Sequence, residues 1–363
     1  MPPSLSSLKS RAARLRTYLR DIDTHPDRKP RLQIARELLA YRRAGIPRHF
    51  YLERLLYQRA AGDPANYLTQ AETWALWERK RRPAGYLRVF DDKTLFDEHL
   101  RRDVGTEPVP LPAYLGQTRA GVLIRPGRTD VWLRDRDAFG HALAEMAEES
   151  PTGRVFAKPA NDSKGAGAML VRSAPSEGDV DRVRDGASRV DYLFQEAVDQ
   201  HHEMDRINPA CLNTLRIVTG TAKDGSYPVL GAILRIGQGG NPVDNAHAGG
   251  LFVGVDRETG RLGPRAHAFF EFGGATHTRH PDTGTVFDGF EVPYFAEAVA
   301  LARRAHARLP LLYVGWDVGI TPDGPRLIEG NSGAHLSLME VAAGGFKADP
   351  IARAFLVGQG VLS

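Results

Sequence analysis

Two apolar rhythms alternate along this chain, and their order outlines its elements. The first 82 residues keep a helical period. Leu32, Ala35, Leu38 and Leu39 recur with Arg42 and Arg43 at that spacing, and Phe50, Leu52, Leu55 and Leu56 repeat it up to Arg59. Gly45-Ile46-Pro47 and Gly62-Asp63-Pro64 break these helices, and Arg79-Lys80-Arg81-Arg82-Pro83 marks a boundary. Beyond Tyr86 the pattern changes. Asp92 is placed to cap a helix from Lys93 to Arg102, ended by Val104-Gly105 and followed by an extended run through Pro108, Pro110 and Pro112. Short strands are predicted at Val122–Ile124 and Val131–Arg134, and a helix at Asp137–Glu149.

The second half reads largely as strands. Arg154–Pro159 is a β-type run that meets a small, glycine-containing loop at Asn161–Gly167, with a further strand at Ala168–Val171. A strand instead of a helix after the glycines excludes a Walker or Rossmann loop and suits a flap, or an ordinary hairpin turn. Strands are expected at Asp191–Val198, Asn213–Thr221, Tyr227–Ile236, Leu251–Val255 and His267–Phe270, with a Gly- and Asn-rich loop from Gly237 to Gly250. Val292–Leu309 is an amphipathic helix, and Ser337–Ala343 and Asp349–Leu356 are helical at the C-terminus.

One stretch carries chemistry in its spacing. Tyr313–Ile320 and Arg326–Glu329 read as a hairpin closed by Thr321-Pro322-Asp323-Gly324, where Pro presets one dihedral and Gly takes positive φ. Asp317, Glu329 and Asn331 then share one face. Two carboxylates and an amide are hard oxygen ligands suited to Mg²⁺ or Mn²⁺; alternatively, the polar face of the hairpin simply meets water.

At 363 residues the chain has room for more than one domain, and its 42% hydrophobic and 25% charged residues match a globular protein. No apolar run approaches the roughly 20 residues of a membrane span, and the start lacks an apolar signal core. The single cysteine, Cys211, has no partner within the chain and reads as a passive thiol. These features favour a cytoplasmic setting. Charge is uneven: residues 1–85 hold 18 basic and 8 acidic side chains, a balance of +10, and the remainder 30 and 36, a balance of −6. A basic front admits an anionic partner, although the arginines are spread as on solvated helix faces; no RNA- or DNA-binding motif accompanies them. His277 and His280 stand close together without a third ligand nearby.

Taken in order, Asp92-Lys93, Phe156-Ala157-Lys158-Pro159 with its loop, Gln195-Glu196-Ala197-Val198, Asn213-Thr214-Leu215-Arg216, Gly315-Trp316-Asp317 and Leu327-Ile328-Glu329-Gly330-Asn331 resemble the ATP-grasp superfamily. That superfamily includes D-alanine–D-alanine ligase and the ribosomal S6 glutamate-ligase-like enzymes. More narrowly, the chain resembles the sugar-transfer-associated ATP-grasp family, over about residues 86–345. The resemblance implies an α/β (α+β) ATP-grasp fold, two α+β subdomains clasping ATP, at residues 86–200 (flap and hinge) and 201–363 (metal site), behind a basic helical segment at 1–85.

It also implies roles. Lys93 and Lys158 match the lysines on the α- and β-phosphates, and Ser163, Gly165 and Gly167 lie in the flap. Gln195, Glu196 and Val198 match the adenine hinge, and Glu203 the ribose carboxylate. Asp317, Glu329 and Asn331 match the ligands of two Mg²⁺ ions, Arg216 and Arg235 the arginines on the transferred phosphate, and Asn245 the substrate loop. Departures stand out. Gly315-Trp316 occupies the place where many ligases carry an arginine before the metal aspartate, His201–Leu212 is an insertion, and the N-terminal segment replaces the usual α/β domain.

The implied activity is an ATP-dependent carboxylate–amine ligase that forms an acyl phosphate, acts on small-molecule or peptide substrates and releases ADP and phosphate. A phosphotransferase acting on a hydroxyl and a non-catalytic ATP-binding scaffold in polysaccharide or peptide assembly remain as alternatives. His247 or His335 would serve as a base if one were needed, though each reads first as a surface or structural histidine.

Overall fold

The computed structural model describes residues 30–43, 66–80, 84–161, 167–240, 244, 249–268, 275–334 and 336–362. The helix expected over Phe50–Arg59 and the base candidates His247 and His335 lie outside them. The helices are α1 (Arg31–Arg43), α2 (Gln70–Lys80), α3 (Ala84–Asp91), α4 (Lys93–Arg101), α5 (Arg136–Glu149), α6 (Glu177–Ala187), α7 (His202–Ile207), α8 (Phe295–Arg308), α9 (Leu336–Ala343) and α10 (Pro350–Gly358). No helix among the described residues is long and apolar enough to cross a membrane.

The strands form two antiparallel sheets. The first holds β1 (Tyr114–Arg119), β2 (Val122–Ile124), β3 (Val131–Trp132), β4 (Arg154–Pro159), β5 (Met169–Arg172) and β6 (Tyr192–Glu196), in the order β3-β2-β1-β6-β4-β5. The second holds β7 (Thr214–Gly220), β8 (Val229–Ile236), β9 (Leu251–Val255), β10 (Leu262–Ala268), β11 (Thr276–His277), β12 (Tyr313–Thr321) and β13 (Gly324–Asn331), in the order β11-β10-β9-β8-β7-β12-β13. Two mixed layers of this kind are the α+β arrangement the sequence predicts.

Period-two alternation divides the faces of the first sheet. Val155, Ala157, Val171, Tyr192 and Phe194 pack beneath α5 and α6 with Phe139, Leu143, Met146 and Val183. Residues of opposite parity, Phe156 and Lys158 on β4 and Leu193 and Gln195 on β6, pair across the strands on the other face. The second sheet is covered on both sides. Ala298, Leu301, Ala302 and Ala305 of α8 pack on one face with Phe90 and Phe96, and Leu68 and Leu76 join Met339, Phe355 and Leu356 in the other cluster. Strands β7 and β12 are therefore buried along their whole length.

Several boundaries differ from the expectation. The hairpin is longer: Thr321 pairs with Gly324, leaving Pro322 and Asp323 as the loop, with Gly324 at φ +114. Pro325 sits inside β13 without disrupting a ladder because β13 is an edge strand. The proline run before β1 lies against that edge, where Leu327 N donates to Pro110 O at 2.8 Å. Helix α6 lies where no helix was expected, although Ser176 and Asp179 form a capping box at its start. The inserted segment His201–Leu212 contains α7, and the strand expected from His267 begins earlier, at Leu262.

One contact joins the α3–α4 pair to β13. Asp92 caps α4, accepting from Thr94 N at 2.9 Å and Leu95 N at 3.2 Å, and α4 carries Phe96 beside Phe90 of α3. Both rings sit over Gly330. A Cβ there would come within 2.6 Å of Phe96, 3.0 Å of Phe90 and 3.0 Å of Trp316. Gly330→Ala should therefore lower stability by about 1–3 kcal/mol through overpacking. Thermal unfolding checks this, and an unchanged melting temperature would refute the contact.

Candidate functional site

Two positively charged side chains converge at the end of β4. Lys158 projects from the face of that strand opposite the α5–α6 core and is only 7% exposed. Lys93 opens α4, and its backbone N–H donates to Ala160 O at 2.8 Å, which ties the start of the helix to the end of the strand. The two lysines line one recess with Asp97, Gln195 and Glu329, walled by Phe90, Phe96, Leu111, Leu193 and Ile328. Lys93 Nζ lies 3.7 Å from Glu329 Oε1. Among the described residues the Lys158 ammonium makes no hydrogen bond. Burial pushes its pKa down to about 8; Glu329 opposes that shift and Lys93 adds to it. A buried ammonium without a hydrogen-bond acceptor is suited to an anionic ligand.

The second part of the site is a row of charges across the central strands. Asp317 on β12 is the register partner of Arg216 on β7 and of Glu329 on β13, so all three side chains share one face. Arg235 on β8 is opposite Thr214, two residues from Arg216 on the same face. Arg216 grips Asp317 with two N–H groups, Nε on Oδ1 and Nη2 on Oδ2, the latter at 2.8 Å. Arg235 Nη1 also donates to Asp317 Oδ2, at 2.8 Å, and Asn331 Nδ2 does so at 3.2 Å. On its other side Arg235 Nη2 reaches Asp244 Oδ1 at 2.9 Å, and Asp244 accepts from Thr214 through both its N–H and its hydroxyl.

Burial alone would raise the Asp317 pKa, but Arg216 and Arg235 outweigh it and hold the carboxyl below its ordinary value. Asp244 has one guanidinium, and burial prevails there, raising its pKa. Gly315 makes room for the first pair: a Cβ there would lie 3.0 Å from Arg216 Cδ and 2.9 Å from Ala334 Cβ. The guanidinium beside Asp317 thus comes from the neighbouring strand β7.

Among the described residues no group of three or more His, Cys, Asp or Glu side chains could share a metal ion. Asp317, Glu329 and Asn331 still form a hard oxygen set. Glu329 is half-buried, with Lys93 as its only ion-pair partner among the described residues, and Asn331 turns its amide nitrogen to Asp317. Both carboxylates and the Asn331 Oδ1 suit a hard divalent ion.

The other expected site residues are distributed differently. Glu196 accepts from Ala113 N at 3.0 Å, and Val198 follows it in the segment after β6; neither is among the described residues lining the recess. Glu203 lies on α7, its carboxylate held by Arg206 Nη1 at 2.5 Å. Gly167, at φ +75, is fixed by its carbonyl, which accepts from Tyr192 Oη at 2.8 Å. Ser163, Gly165 and Asn245 lie outside the described residues. The sequence reading missed Asp97. It stands one helical turn after Lys93 on the same face, a spacing that places it at the recess once Lys93 is there. Burial pushes the Cys211 thiol up to about 12, which disfavours the nucleophilic thiolate.

A family model described as sugar-transfer associated ATP-grasp matches residues 76–347. No curated protein matches the chain. Similar solved structures include the ADP complex of N5-carboxyaminoimidazole ribonucleotide synthetase, purK (13% identity, TM-score 0.39, 69% of this chain and 47% of that one). The ATP-grasp ligase PsnB with a precursor variant, Mg and ADP is another (17%, 0.40, 77% and 62%). A third is the biotin carboxylase domain of Hydrogenobacter thermophilus 2-oxoglutarate carboxylase with MgADP, ADP and bicarbonate (13%, 0.42, 81% and 52%). The chain thus matches between 47% and 62% of the length of these three.

The depressed Lys158 pKa has a pH signature. Below about pH 8 the buried ammonium is charged in both folded and unfolded states, and its desolvation weighs fully against folding. Between pH 8 and 10.5 the unfolded chain holds the proton and the folded one does not, so stability rises with pH. Lys158→Met should therefore be the more stable protein at pH 7, with its advantage shrinking by about 3 kcal/mol as the pH reaches 10.5. Denaturant unfolding at several pH values measures this; a constant difference would contradict it.

Proposed function

Since this chain belongs to the sugar-transfer associated ATP-grasp family, we propose that it is an ATP-dependent carboxylate–amine ligase. The observation that carries the reading is the Lys158 ammonium, buried in a recess beside Lys93 and without a hydrogen bond among the described residues. Two cations in one recess favour a polyphosphate.

In this reading the acceptor carboxylate attacks the γ-phosphorus of ATP, the bond to the β-phosphate oxygen breaks, and ADP leaves. The amine then attacks the carbonyl carbon of the acyl phosphate. Phosphate departs with one former carboxylate oxygen, and the nitrogen loses a proton. Lys93 and Lys158 bind and orient the phosphates, which is most of what phosphoryl transfer requires of a protein. Asp317, Glu329 and Asn331 would hold Mg²⁺, which neutralises phosphate charge when bound. Arg216 and Arg235 each use two of their five N–H groups on carboxylates, which leaves others for phosphate oxygens. Residues 162–166 and 245–248 are assigned here to the flap and to the substrate loop.

Turnover of ATP with Mg²⁺ against paired carboxylates and amines tests the reading. ADP and phosphate should appear only when both partners are present; a phosphorylated hydroxyl compound would instead mark a kinase, and binding without turnover a scaffold. Glu329→Ala is the cleaner metal-site variant, because Asp317→Ala leaves buried guanidinium groups unpaired at a cost of about 3–5 kcal/mol. Glu329→Ala should lower turnover by about 100-fold with the fold retained. Lys158→Ala should weaken ATP binding by at least about tenfold. Full activity in Glu329→Ala would remove the metal assignment.

A further inference from the structure

Helix α1 carries its apolar and its cationic groups on the same outer surface. Every side chain of α1 that the structure describes is exposed, leucines included: Leu32 is 77% exposed and Leu39 48%. Leu32, Arg36, Leu39 and Arg43 follow one another at steps of four, three and four residues, so they lie along one face of the helix. A helix of a globular protein that merely meets water keeps its charges outside and turns its leucines inward. Here leucine and arginine alternate along one exposed stripe. Four arginines stand against one acidic residue, Glu37, in the whole helix.

Helix α2 shows the same combination. It turns Leu76 into the cluster that holds Leu68, Met339 and Phe355. Trp74 and Trp77, one turn apart, are left 60% and 39% exposed, with ring centroids 5.1 Å apart and planes inclined by 36°. The helix ends in Arg79 and Lys80, and Arg81 and Arg82 follow in the chain. Exposed apolar groups beside a run of cations narrow the choice of partner. Single-stranded nucleic acid stacks its bases on aromatic rings but offers nothing to Leu32 or Leu39. A second copy of the chain would bring the same positive charge to the contact. An anionic bilayer surface accommodates all of these groups. Its hydrocarbon takes the leucines, its headgroup region the amphipathic indoles, and its phosphates the arginines.

We propose that α1 and α2 dock this protein on an anionic lipid surface, with Leu32, Leu39, Trp74 and Trp77 entering the interface and the arginines resting on lipid phosphates. The attachment is peripheral, since no helix among the described residues is long and apolar enough to cross a membrane. It goes beyond the ligase reading and does not depend on it. It gives the basic front of the chain, a balance of +10 over residues 1–85, a partner of opposite charge.

Flotation of the full chain with lipid vesicles tests the proposal. Vesicles of phosphatidylglycerol and phosphatidylcholine in equal parts should bind it at least about tenfold more tightly than phosphatidylcholine alone, and added salt should release it. Arg36→Gln and Arg43→Gln should each weaken binding about fivefold, the scale of one cation at such a surface. Acyl chains brominated close to the headgroup should quench the tryptophan fluorescence. Trp74→Ala combined with Trp77→Ala should remove that quenching and weaken binding at least about tenfold. Trp132→Ala, at an exposed indole that has Arg134 4.6 Å from its ring, should change neither. The arginine variants decide the matter if the tryptophan pair proves necessary for folding. Equal binding to both kinds of vesicle, or to neither, would overturn the proposal. Salt-sensitive binding without quenching would also overturn it, because charge alone explains that result. Capture of a single-stranded oligonucleotide instead of vesicles would give the surface to nucleic acid. Self-association that the tryptophan variants abolish, with no lipid binding, would give it to a second copy of the chain.

Discussion

The absence of a side chain at Gly330 sets the distance between the two halves of the site. Phe90, Phe96 and Trp316 occupy the space a Cβ would need. Through that contact α4 lies directly on β13, so Lys93 at the head of the helix comes within ion-pair reach of Glu329, the neighbour of Gly330 in the chain. The backbone bond from Lys93 to Ala160 then attaches the same helix to β4 and so to Lys158. A helix carrying one lysine is thus held to both sheets at once, by aromatic packing on one side and by hydrogen bonds on the other, from Lys93 N to Ala160 O and from Gln117 and Gln195 to Glu98 and Asp97. Dense packing of this kind transmits small displacements, since interiors have few voids to absorb them.

The charges gathered around that contact do not cancel. Among the described residues, Arg216, Arg235, Lys93 and Lys158 face Asp317, Asp244 and Glu329, which leaves one positive charge in excess. Asp97 and Arg101 form a separate, balanced pair. A surplus of positive charge in a recess of low polarity favours an anion there, and a divalent cation would increase the surplus. Gly315 belongs to the same economy of space. By leaving the face of β12 open, it lets Arg216 reach Asp317 from β7. A side chain at position 315 would compete for the volume Arg216 now fills.

Much of this was legible in the sequence because it depends on local chemistry. The Asp92 cap, the Pro-Asp loop of the hairpin and the period-two placement of Asp317 and Glu329 each need only a few neighbouring residues to specify them, and each is present. Arg216 was named from the sequence, but its pairing with Asp317 was not legible, since the two are 101 positions apart and meet only through strand order. Asp97 was legible in part, one helical turn after Lys93, but its partner Gln195 lies 98 positions away. Helix α6 carried a signal that was passed over: the Ser176–Asp179 box is local, but Gly178 and Gly186 weaken the helical propensity around it. Glu203, chosen by its spacing from the hinge, stands on a short helix where it pairs with Arg206, a contact its spacing did not announce.

Asp317 and Lys158 are both buried ions, and the fold treats them in opposite ways. Asp317 is surrounded by guanidinium and amide donors that more than offset its desolvation, so its ionised form favours the folded state. Among the described residues Lys158 has no comparable set of acceptors, and burial dominates its titration. A folded chain gains nothing by leaving an ammonium in that condition unless something else completes it. Among the described residues the carboxylate is therefore charge-compensated by the protein, whereas the lysine is much less so. Binding an anion beside Lys158 relieves a cost already present in the folded chain, and that relief adds to affinity in the same way as any strain released on binding.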